Sequence, residues 1–361
     1  MVDAFVHDVP ASRVVFANGS LASVGVELER LGSVRAMLVA GGPEAVYADR
    51  AAQILGGRVV ARFTDVAMHV PRRVANAAIA MALESQADSI VAVGGGSSIG
   101  AAKVVARELA LPILAVPTTY AGSEMTPIWG LTEDDRKTTG RDIKVLPKAV
   151  LYDPELTLSL PPDLSAASGM NAMAHLIEGL YAPGISPISA LQAEDGVRAL
   201  ASALPRIVAD PLDLAARGDA LYGAWLAGWT LGTTGMGIHH KICHTLGGTF
   251  DLPHAQTHSA VIPYATAFNE PYAPRAMEAV LRALSAAGIN ATSAGAGVWE
   301  LARSIEAPTS LKEVGFDPSM VEKAVAIIVA AQPTNPRPVD PDGTRALLLA
   351  AYDGSRPGAW E

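Results

Sequence analysis

Five of the eight histidines of this chain lie within one stretch of twenty residues. They are His239, His240, His244, His254 and His258. Imidazole is the side chain that ligates a metal ion, or gives and takes a proton, near neutral pH. Random scatter would spread eight histidines over the whole chain, so this cluster indicates a functional site. The outlying His7 and His69 are interpreted as ordinary surface or core residues.

A sixth histidine, His175, follows Asn171 by four residues, and His244 follows His240 by the same interval. On a helix, residues four apart lie on one face, about one turn from each other. Two helices that each present such a pair would converge on one small pocket. The spacing therefore predicts an active site formed by helices.

The length and composition of the chain define its class. Its 361 residues exceed the usual size of a single core, so two domains are expected. Hydrophobic residues make up 50% of the chain, which is enough for a large core. The net charge of −9 argues against nucleic acid or an anionic membrane surface as a partner. An anionic substrate must therefore be captured by local cations.

The N-terminus and the cysteine content predict a cytoplasmic protein. The first residues show no basic start followed by an apolar run, and no stretch of about 18 apolar residues is present to span a membrane. The single cysteine, Cys243, excludes an internal disulfide and is consistent with a reducing compartment. We interpret Cys243 as a packing residue, with a catalytic role as the alternative.

The first part of the chain alternates short apolar runs with amphipathic segments. This pattern predicts a parallel sheet covered by helices on both faces. The predicted strands are Arg35–Ala40, Arg58–Phe63, Ser89–Val93, Pro112–Val116 and Ala149–Tyr152. We therefore expect a Rossmann-like, nucleotide-binding α/β domain at residues 1–157.

The second part of the chain is rich in alanine and leucine and shows no strand-like alternation. It predicts an all-helical domain at residues 158–361, after a boundary between Asp153-Pro154 and Pro161-Pro162. The predicted helices are Ser165–Tyr181, Ser186–Ala209, Leu212–Gly232, Ile238–Gly247, Ser259–Phe268, Pro274–Ala287, Ser293–Ile305, Pro318–Ala331 and Gly343–Tyr352. The active site is expected in the cleft between the two domains.

Two loops predict a dinucleotide site at the carboxyl edge of the sheet. Consecutive glycines after a strand let backbone N–H groups approach a pyrophosphate, and the following helix supplies positive potential. The next strand ends in a loop rich in hydroxyl groups, so the two loops form one crevice. The expected cofactor-binding residues are Gly94, Gly95, Gly96, Ser97, Ser98, Thr118, Thr119 and Ser123.

Four ordered motifs resemble the iron-containing alcohol dehydrogenase superfamily, which has a dehydroquinate-synthase-like fold. They are Gly-Gly-Gly-Ser from Gly94, Pro-Thr-Thr-x-x-Gly-Ser-Glu from Pro117, Gly-Met-Asn-Ala-Met-Ala-His from Gly169, and His-x3-His-x-Leu-Gly-Gly from His240. The resemblance extends from about Phe16 to Arg337. Details such as Gly100 and Asn171 resemble the branch of this superfamily that acts on maleylacetate.

The resemblance implies an activity and a set of residues. The enzyme would use NADH or NADPH to reduce the carbon–carbon double bond of maleylacetate, a small dicarboxylate, to 3-oxoadipate in the catabolism of aromatic compounds. A homodimer is also implied. His244 would relay a proton, and the other catalytic residues would be His240, His175 and His254. The candidate contacts to substrate are Asn171, Tyr120, Lys241 and Arg337, and Lys144 is a candidate for either ligand.

The superfamily holds a metal ion with one aspartate and three histidines. These positions correspond here to Asn171, His175, His240 and His254. An amide carries no charge, so the site would bind a divalent cation less tightly. Catalysis by imidazole without a metal is therefore favoured, with an Fe(II) or Zn site as the alternative. Glu178, one turn after His175, is interpreted as a structural ion-pair partner or as a support for a ligand.

The choice between NADH and NADPH depends on the strand that ends before Gly41 and Gly42. NAD-specific relatives carry an aspartate there, which binds the ribose hydroxyls and repels a 2′-phosphate. Gly41 and Gly42 are expected to contact the cofactor and offer no carboxylate, so NADPH is not excluded.

Three other functions are compatible with parts of this pattern. A dehydroquinate-synthase-like lyase and an ordinary alcohol dehydrogenase would both rely on the carboxylate that Asn171 replaces. A non-catalytic nucleotide-binding protein would have no need of the convergent histidines.

Overall fold

The computed structural model describes residues 12–133, 136–358 and 360, together with the single residues 5, 7 and 9. The chain divides into an N-terminal unit, Val9–Leu160, and a C-terminal unit, Pro161–Glu361. His7 is grouped with the C-terminal unit, where its Nδ1 lies 2.9 Å from the Ser186 hydroxyl.

The N-terminal unit contains a six-stranded sheet in the order β1-β8-β5-β4-β2-β3, and all five neighbouring pairs are parallel. Its strands are β1 (Arg13–Phe16), β2 (Ala36–Val39), β3 (Val59–Phe63), β4 (Ser89–Gly94), β5 (Ile113–Pro117) and β8 (Ala149–Tyr152). Every residue of β2, β4, β5 and β8 is buried, as expected for a parallel sheet with both faces covered. The predicted α/β architecture and its five strands are confirmed.

Four helices cover this sheet: α1 (Val24–Arg30), α2 (Ala45–Leu55), α3 (Arg72–Glu84) and α4 (Gly96–Leu109). Side chains of α1 and α2 pack against alternate residues of the strands, such as Leu38, Val91 and Leu114. Residues of α3 and α4 form a separate cluster that includes Ala75 and Val104. Helix α4 also contacts β2, β4 and β5, and α3 contacts β3, so helices cover the apolar runs of the strands.

An antiparallel hairpin of β6 (Ile128–Glu133) and β7 (Arg136–Arg141) lies outside the main sheet. The sequence pattern does not predict it. Its strands read IWGLTE and RKTTGR, and neither shows the alternation of apolar and polar residues that marks a half-buried strand. The Arg107 guanidinium lies 3.8 Å above the Trp129 ring, which ties the hairpin to α4.

All regular secondary structure in the described residues of the C-terminal unit is helical, which confirms the prediction. Its helices are α5 (Pro162–Leu180), α6 (Pro187–Ala209), α7 (Leu214–Thr233), α8 (Ile238–Phe250), α9 (His254–Asn269), α10 (Pro274–Ala286), α11 (Ala294–Ser304), α12 (Val321–Ala330) and α13 (Pro341–Asp353). Helix α5 packs against α6, α7 and α9, and every residue from Gly169 to Leu180 is buried. None of the helices in the described part of the chain combines the length and apolar character needed to cross a membrane.

Candidate active site

The glycine-rich loop connects β4 to α4. Gly94 has φ of +139°, a conformation that side chains rarely tolerate. A Cβ on Gly95 would lie 2.9 Å from Thr119 Cγ2, so this glycine permits close approach of the second loop. No side chain caps the N-terminus of α4. Its first N–H groups are therefore available for an anionic group such as a pyrophosphate.

The hydroxyl-rich loop follows β5, the neighbour of β4. Gly94 is paired with Pro117, and the Thr118 N–H donates to the Gly94 carbonyl at 3.3 Å. Parallel strands end at the same edge, so the loops after β4 and β5 lie side by side there, as the crevice model requires. Tyr120, in the second of these loops, is fully buried.

Lys103, on α4, holds the second loop in place. Its side chain is 1% exposed. The Nζ atom lies 2.6 Å from the Ser123 carbonyl, 2.8 Å from the carbonyl and the hydroxyl of Thr126, and 2.8 Å from the Ile128 carbonyl. Burial nevertheless disfavours the charge and lowers the pKa of Lys103 to about 7.

This buried amine makes stability depend on pH. The unfolded chain keeps the Lys103 proton up to its ordinary pKa of 10.5, whereas the folded chain releases it near 7. The unfolded state binds more protons between these values, so the free energy of unfolding rises with pH by up to about 1.4 kcal/mol per unit. We expect this rise in urea unfolding of the unchanged protein and of Lys148→Met, which removes an exposed lysine. Lys103→Met should lack it, and equal slopes in all three proteins would contradict the shift.

The C-terminal unit brings six histidines together on three helices. His175 lies on α5, His239, His240 and His244 on α8, and His254 and His258 on α9. The His240 ring centroid is 4.9 Å from that of His175 and 5.9 Å from that of His244. The rings of His244 and His254 are 6.4 Å apart. The structure thus places all four predicted catalytic histidines in one connected array.

Glu178 organises this array from α5. Its Oε1 accepts the His239 N–H at 2.9 Å, and its Oε2 accepts the His240 N–H at 3.3 Å, so the carboxylate caps the first turn of α8. Oε2 also lies 2.5 Å from His240 Nδ1. A carboxylate in this position accepts the Nδ1 proton and fixes the tautomer. Nε2 of His240 is then the atom that is available to a ligand.

An inner pair of histidines received no role from the sequence. His239 Nε2 lies 2.9 Å from His258 Nδ1, and both side chains are fully buried. Among the described residues, His239, His240 and His258 form a group of three side chains that could bind a metal ion. Their ligand atoms all lie within 4.8 Å of one another. The available signal was that His258 follows His254 by four residues, the spacing already seen in the other pairs.

Burial keeps three of the six imidazoles neutral. The pKa values of His175, His239 and His258 lie well below the usual range, because burial disfavours the charge and neighbouring imidazoles add to the effect. Burial also raises the pKa of the Cys243 thiol, which sits in the apolar cluster of α8, α9 and α12. Cys243 is therefore a packing residue in this fold. His244, by contrast, is exposed.

The predicted cationic contacts to substrate have different surroundings. Lys241 is half-buried on α8, next to His240. The Arg337 guanidinium packs on the rings of Phe268 and Tyr272, at 4.5 and 5.4 Å from their centroids. This packing gives Arg337 a structural role, and its contact with a substrate stays a prediction. Lys144 is exposed in the N-terminal unit.

Both parts of the chain match profiles of one protein family. The iron-containing alcohol dehydrogenase profile covers residues 11–154, and the C-terminal profile of the Fe-containing alcohol dehydrogenase family covers residues 165–352. The chain belongs to the iron-containing alcohol dehydrogenase family. The family resemblance drawn from the motifs is confirmed.

Several members of this family are similar to the chain over its whole length. A maleylacetate reductase of Sphingobium indicum is 52% identical over 353 residues, which cover 98% of this chain and 99% of the relative. A maleylacetate reductase of Burkholderia cepacia is 47% identical, with 99% and 100% covered. The crystal structure of maleylacetate reductase from Agrobacterium tumefaciens superimposes with a TM-score of 0.94 at 40% identity, covering 98% and 100%.

Unpartnered polar atoms in the array show that it suits a ligand. Asn171 Oδ1, His175 Nδ1 and His240 Nε2 are buried without a hydrogen-bond partner. Buried polar atoms are usually paired, so such a group points to a ligand that completes them. Neutral imidazole nitrogens and an amide oxygen fit a divalent metal of the kind for which the iron-containing alcohol dehydrogenase family is named. A ring nitrogen that carries a proton would instead donate to an oxygen atom of a polar organic substrate, whereas the amide oxygen can only accept a hydrogen bond.

Proposed function

We propose that this protein reduces the carbon–carbon double bond of maleylacetate, with NADH or NADPH as the hydride donor, and produces 3-oxoadipate. The observation that carries the proposal is the full-length identity of 52% with a maleylacetate reductase. The glycine-rich loop and the histidine array supply the two sites that such a reaction needs. The proposed setting is the cytoplasm, with the protein acting as a homodimer.

The chemistry requires a group that stabilises negative charge on oxygen. Bound nicotinamide supplies a hydride to the carbon β to the ketone. Negative charge then develops on the ketone oxygen as an enolate, and a hydrogen-bond donor at that oxygen lowers the barrier. A proton added to the carbon between them restores the ketone and completes the reduction.

In this proposal, His240 polarises the ketone. Its Nε2 is unpartnered, and its Nδ1 is hydrogen-bonded to the buried Glu178 carboxylate. The carboxylate compensates positive charge on the ring whenever Nε2 also carries a proton, as the buried aspartate does in a Ser-His-Asp triad. Nε2–H then donates to the oxygen on which the enolate charge develops.

In this proposal, His244 supplies the proton. It lies one turn after His240 on α8, and it is exposed whereas His240 is 4% exposed. An exposed imidazole recovers its proton from water after each turnover. Asn171, Tyr120, Lys241 and Arg337 remain the proposed contacts to the substrate, with Lys241 as the cation nearest along the chain to the array.

A metal ion is not required in this proposal. If one is bound, Asn171, His175, His240 and His254 would hold it, and it would supply Lewis-acid polarisation of the ketone oxygen. Asn171 contributes no charge to that set. We therefore propose that imidazole carries out the polarisation and that treatment with a chelator leaves activity nearly intact.

Oxidation of NADH followed by absorbance tests the function. Maleylacetate should support turnover, whereas lactaldehyde and a blank without substrate should not. Turnover with lactaldehyde alone would assign the protein as an alcohol dehydrogenase. Complete loss of activity with a chelator, recovered by Fe(II) or Zn, would overturn metal-free polarisation and leave the reductase assignment in place.

The Asn171→Asp variant separates metal binding from maleylacetate reduction. It places a carboxylate beside His175, so we expect tighter Zn binding by calorimetry. The same charge repels a dianionic substrate, so kcat/KM for maleylacetate should fall by about tenfold or more. Asn290→Asp makes the same chemical change at an exposed position and should alter neither quantity. Unchanged Zn affinity and unchanged kcat/KM in Asn171→Asp would remove Asn171 from the site.

A further inference from the structure

Glu44 is a carboxylate residue that lies three positions after Gly41, shortly after the end of strand β2. It ends a short 3-10 turn, Gly42–Glu44, that follows β2. Strand β2 is the parallel neighbour of β4, with Val39 paired to Ala92, so the loops after both strands occupy the same edge of the sheet. A side chain from the β2 loop can therefore reach the glycine-rich loop.

The Glu44 carboxyl group does reach it. A Cβ on Gly94 would lie 3.4 Å from the Glu44 carboxyl carbon, and a Cβ on Gly41 would lie 3.2 Å from its Oε2. The Gly41 N–H donates to the Ser98 hydroxyl at 3.3 Å, which joins the β2 loop to the first turn of α4. The Glu44 carboxylate therefore lies beside Gly94 and Gly41, next to the positions that Cβ atoms on these two residues would occupy.

The Glu44 carboxylate makes no interaction that stabilises the fold among the described residues. Glu44 is the N-cap residue of α2, yet its side chain makes no capping hydrogen bond. It also forms no ion pair with any residue in the described part of the chain, and it is half-buried. A carboxylate held at a loop edge without a structural partner has both oxygens free to accept hydrogen bonds from a ligand.

We infer that Glu44 determines the choice of dinucleotide: it accepts hydrogen bonds from the adenosine ribose hydroxyls of NADH and repels the 2′-phosphate of NADPH. The inference rests on the proposed function, because it requires a dinucleotide at the glycine-rich loop. It places the selecting carboxylate in the turn after the strand instead of at the strand end. It also revises the expectation from Gly41 and Gly42, since NADPH is used but disfavoured.

The preference follows from charge. A 2′-phosphate adds up to two negative charges near the carboxylate, while a ribose hydroxyl adds a hydrogen-bond donor. In a half-exposed site, this difference in electrostatic energy between the two cofactors makes the Kd for NADPH about tenfold or more higher than the Kd for NADH. Repulsion between charges is screened by salt, so the ratio should decrease as ionic strength rises.

Titration of the free protein with NADH and with NADPH, followed by nucleotide fluorescence, tests this inference without turnover. In Glu44→Gln we expect the Kd for NADPH to fall by about tenfold and the Kd for NADH to rise slightly. Glu44→Ala should shift the ratio in the same direction and serves as a second variant. Glu84→Gln, at an exposed position on α3, removes the same charge and should leave both Kd values unchanged.

The outcomes separate the inference from the function on which it rests. Equal ratios of the two Kd values in the unchanged protein, Glu44→Gln and Glu44→Ala would overturn the role of Glu44 while leaving dinucleotide binding intact. A ratio that moves equally in Glu84→Gln would assign the effect to net charge and would also overturn it. Failure of the unchanged protein to bind either dinucleotide would contradict the proposed function itself.

Discussion

The His244→Ala variant is expected to lose at least about 100-fold in kcat for maleylacetate, the usual scale for loss of a general acid. His240→Ala should lose a similar factor, because Nε2 of His240 is the proposed donor to the developing enolate. Steady-state kinetics at saturating NADH measures both. His7→Ala removes an imidazole from an exposed position of the same unit and is the matched control.

Exposure distinguishes the two histidines in a rescue experiment. His244 is exposed, so the space left by its removal is open to added imidazole, which should restore part of kcat. His240 is 4% exposed and its Nδ1 is held by Glu178, so added imidazole should restore little. A kcat for His244→Ala within a few-fold of the unchanged protein would show that the proton reaches the substrate by another route.

The Gly295→Ala variant is expected to lower the free energy of unfolding by about 3 kcal/mol, the upper part of the usual range for overpacking. Gly295 lies in the first turn of α11 and faces α9. A Cβ there would be 2.8 Å from the Pro263 carbonyl oxygen and 2.9 Å from the Ala267 nitrogen. Because both are backbone atoms, no rotamer change relieves the contact, and α9 has to move.

Urea unfolding of Gly295→Ala measures this effect, and Gly248→Ala provides the control. Gly248 also lies in a helix, α8, but a Cβ on it would meet nothing within 4 Å. Its replacement by alanine should leave stability unchanged or raise it by about 0.5–1 kcal/mol, since a helical glycine loses more backbone entropy on folding. Equal stabilities of the two variants would show that α9 and α11 separate easily.

Most of the fold could be predicted because the strands of the main sheet are continuous apolar runs. Strand β1 was missed for a physical reason. Three of the four residues of its sequence, RVVF, are apolar, but the strand is short and lies at the sheet edge, where none of its residues is fully buried. The β6–β7 hairpin was missed because β7, RKTTGR, is polar and β6, IWGLTE, lacks the regular alternation of apolar and polar residues.

The site was predictable where helical spacing carries the signal. The interval of four residues between Asn171 and His175, and between His240 and His244, correctly indicated helical faces. The interaction of Glu178 with α8 depends on how two helices pack, which spacing within one helix does not encode. Glu44 was missed because a turn directs its side chain back over the strand end, and this direction is invisible in the order of residues.

The burial of α5 also determines which residues of the enzyme can change during evolution. Asn171, His175 and Glu178 lie on a segment whose every residue is buried, so nearly any change there disturbs packing on several sides. Lys241 and His244 on α8, and His254 at the start of α9, retain contact with solvent. If a bulkier substrate, such as a chlorinated analogue, had to be accommodated, substitutions on α8 and α9 would therefore disturb the packing less than substitutions on α5.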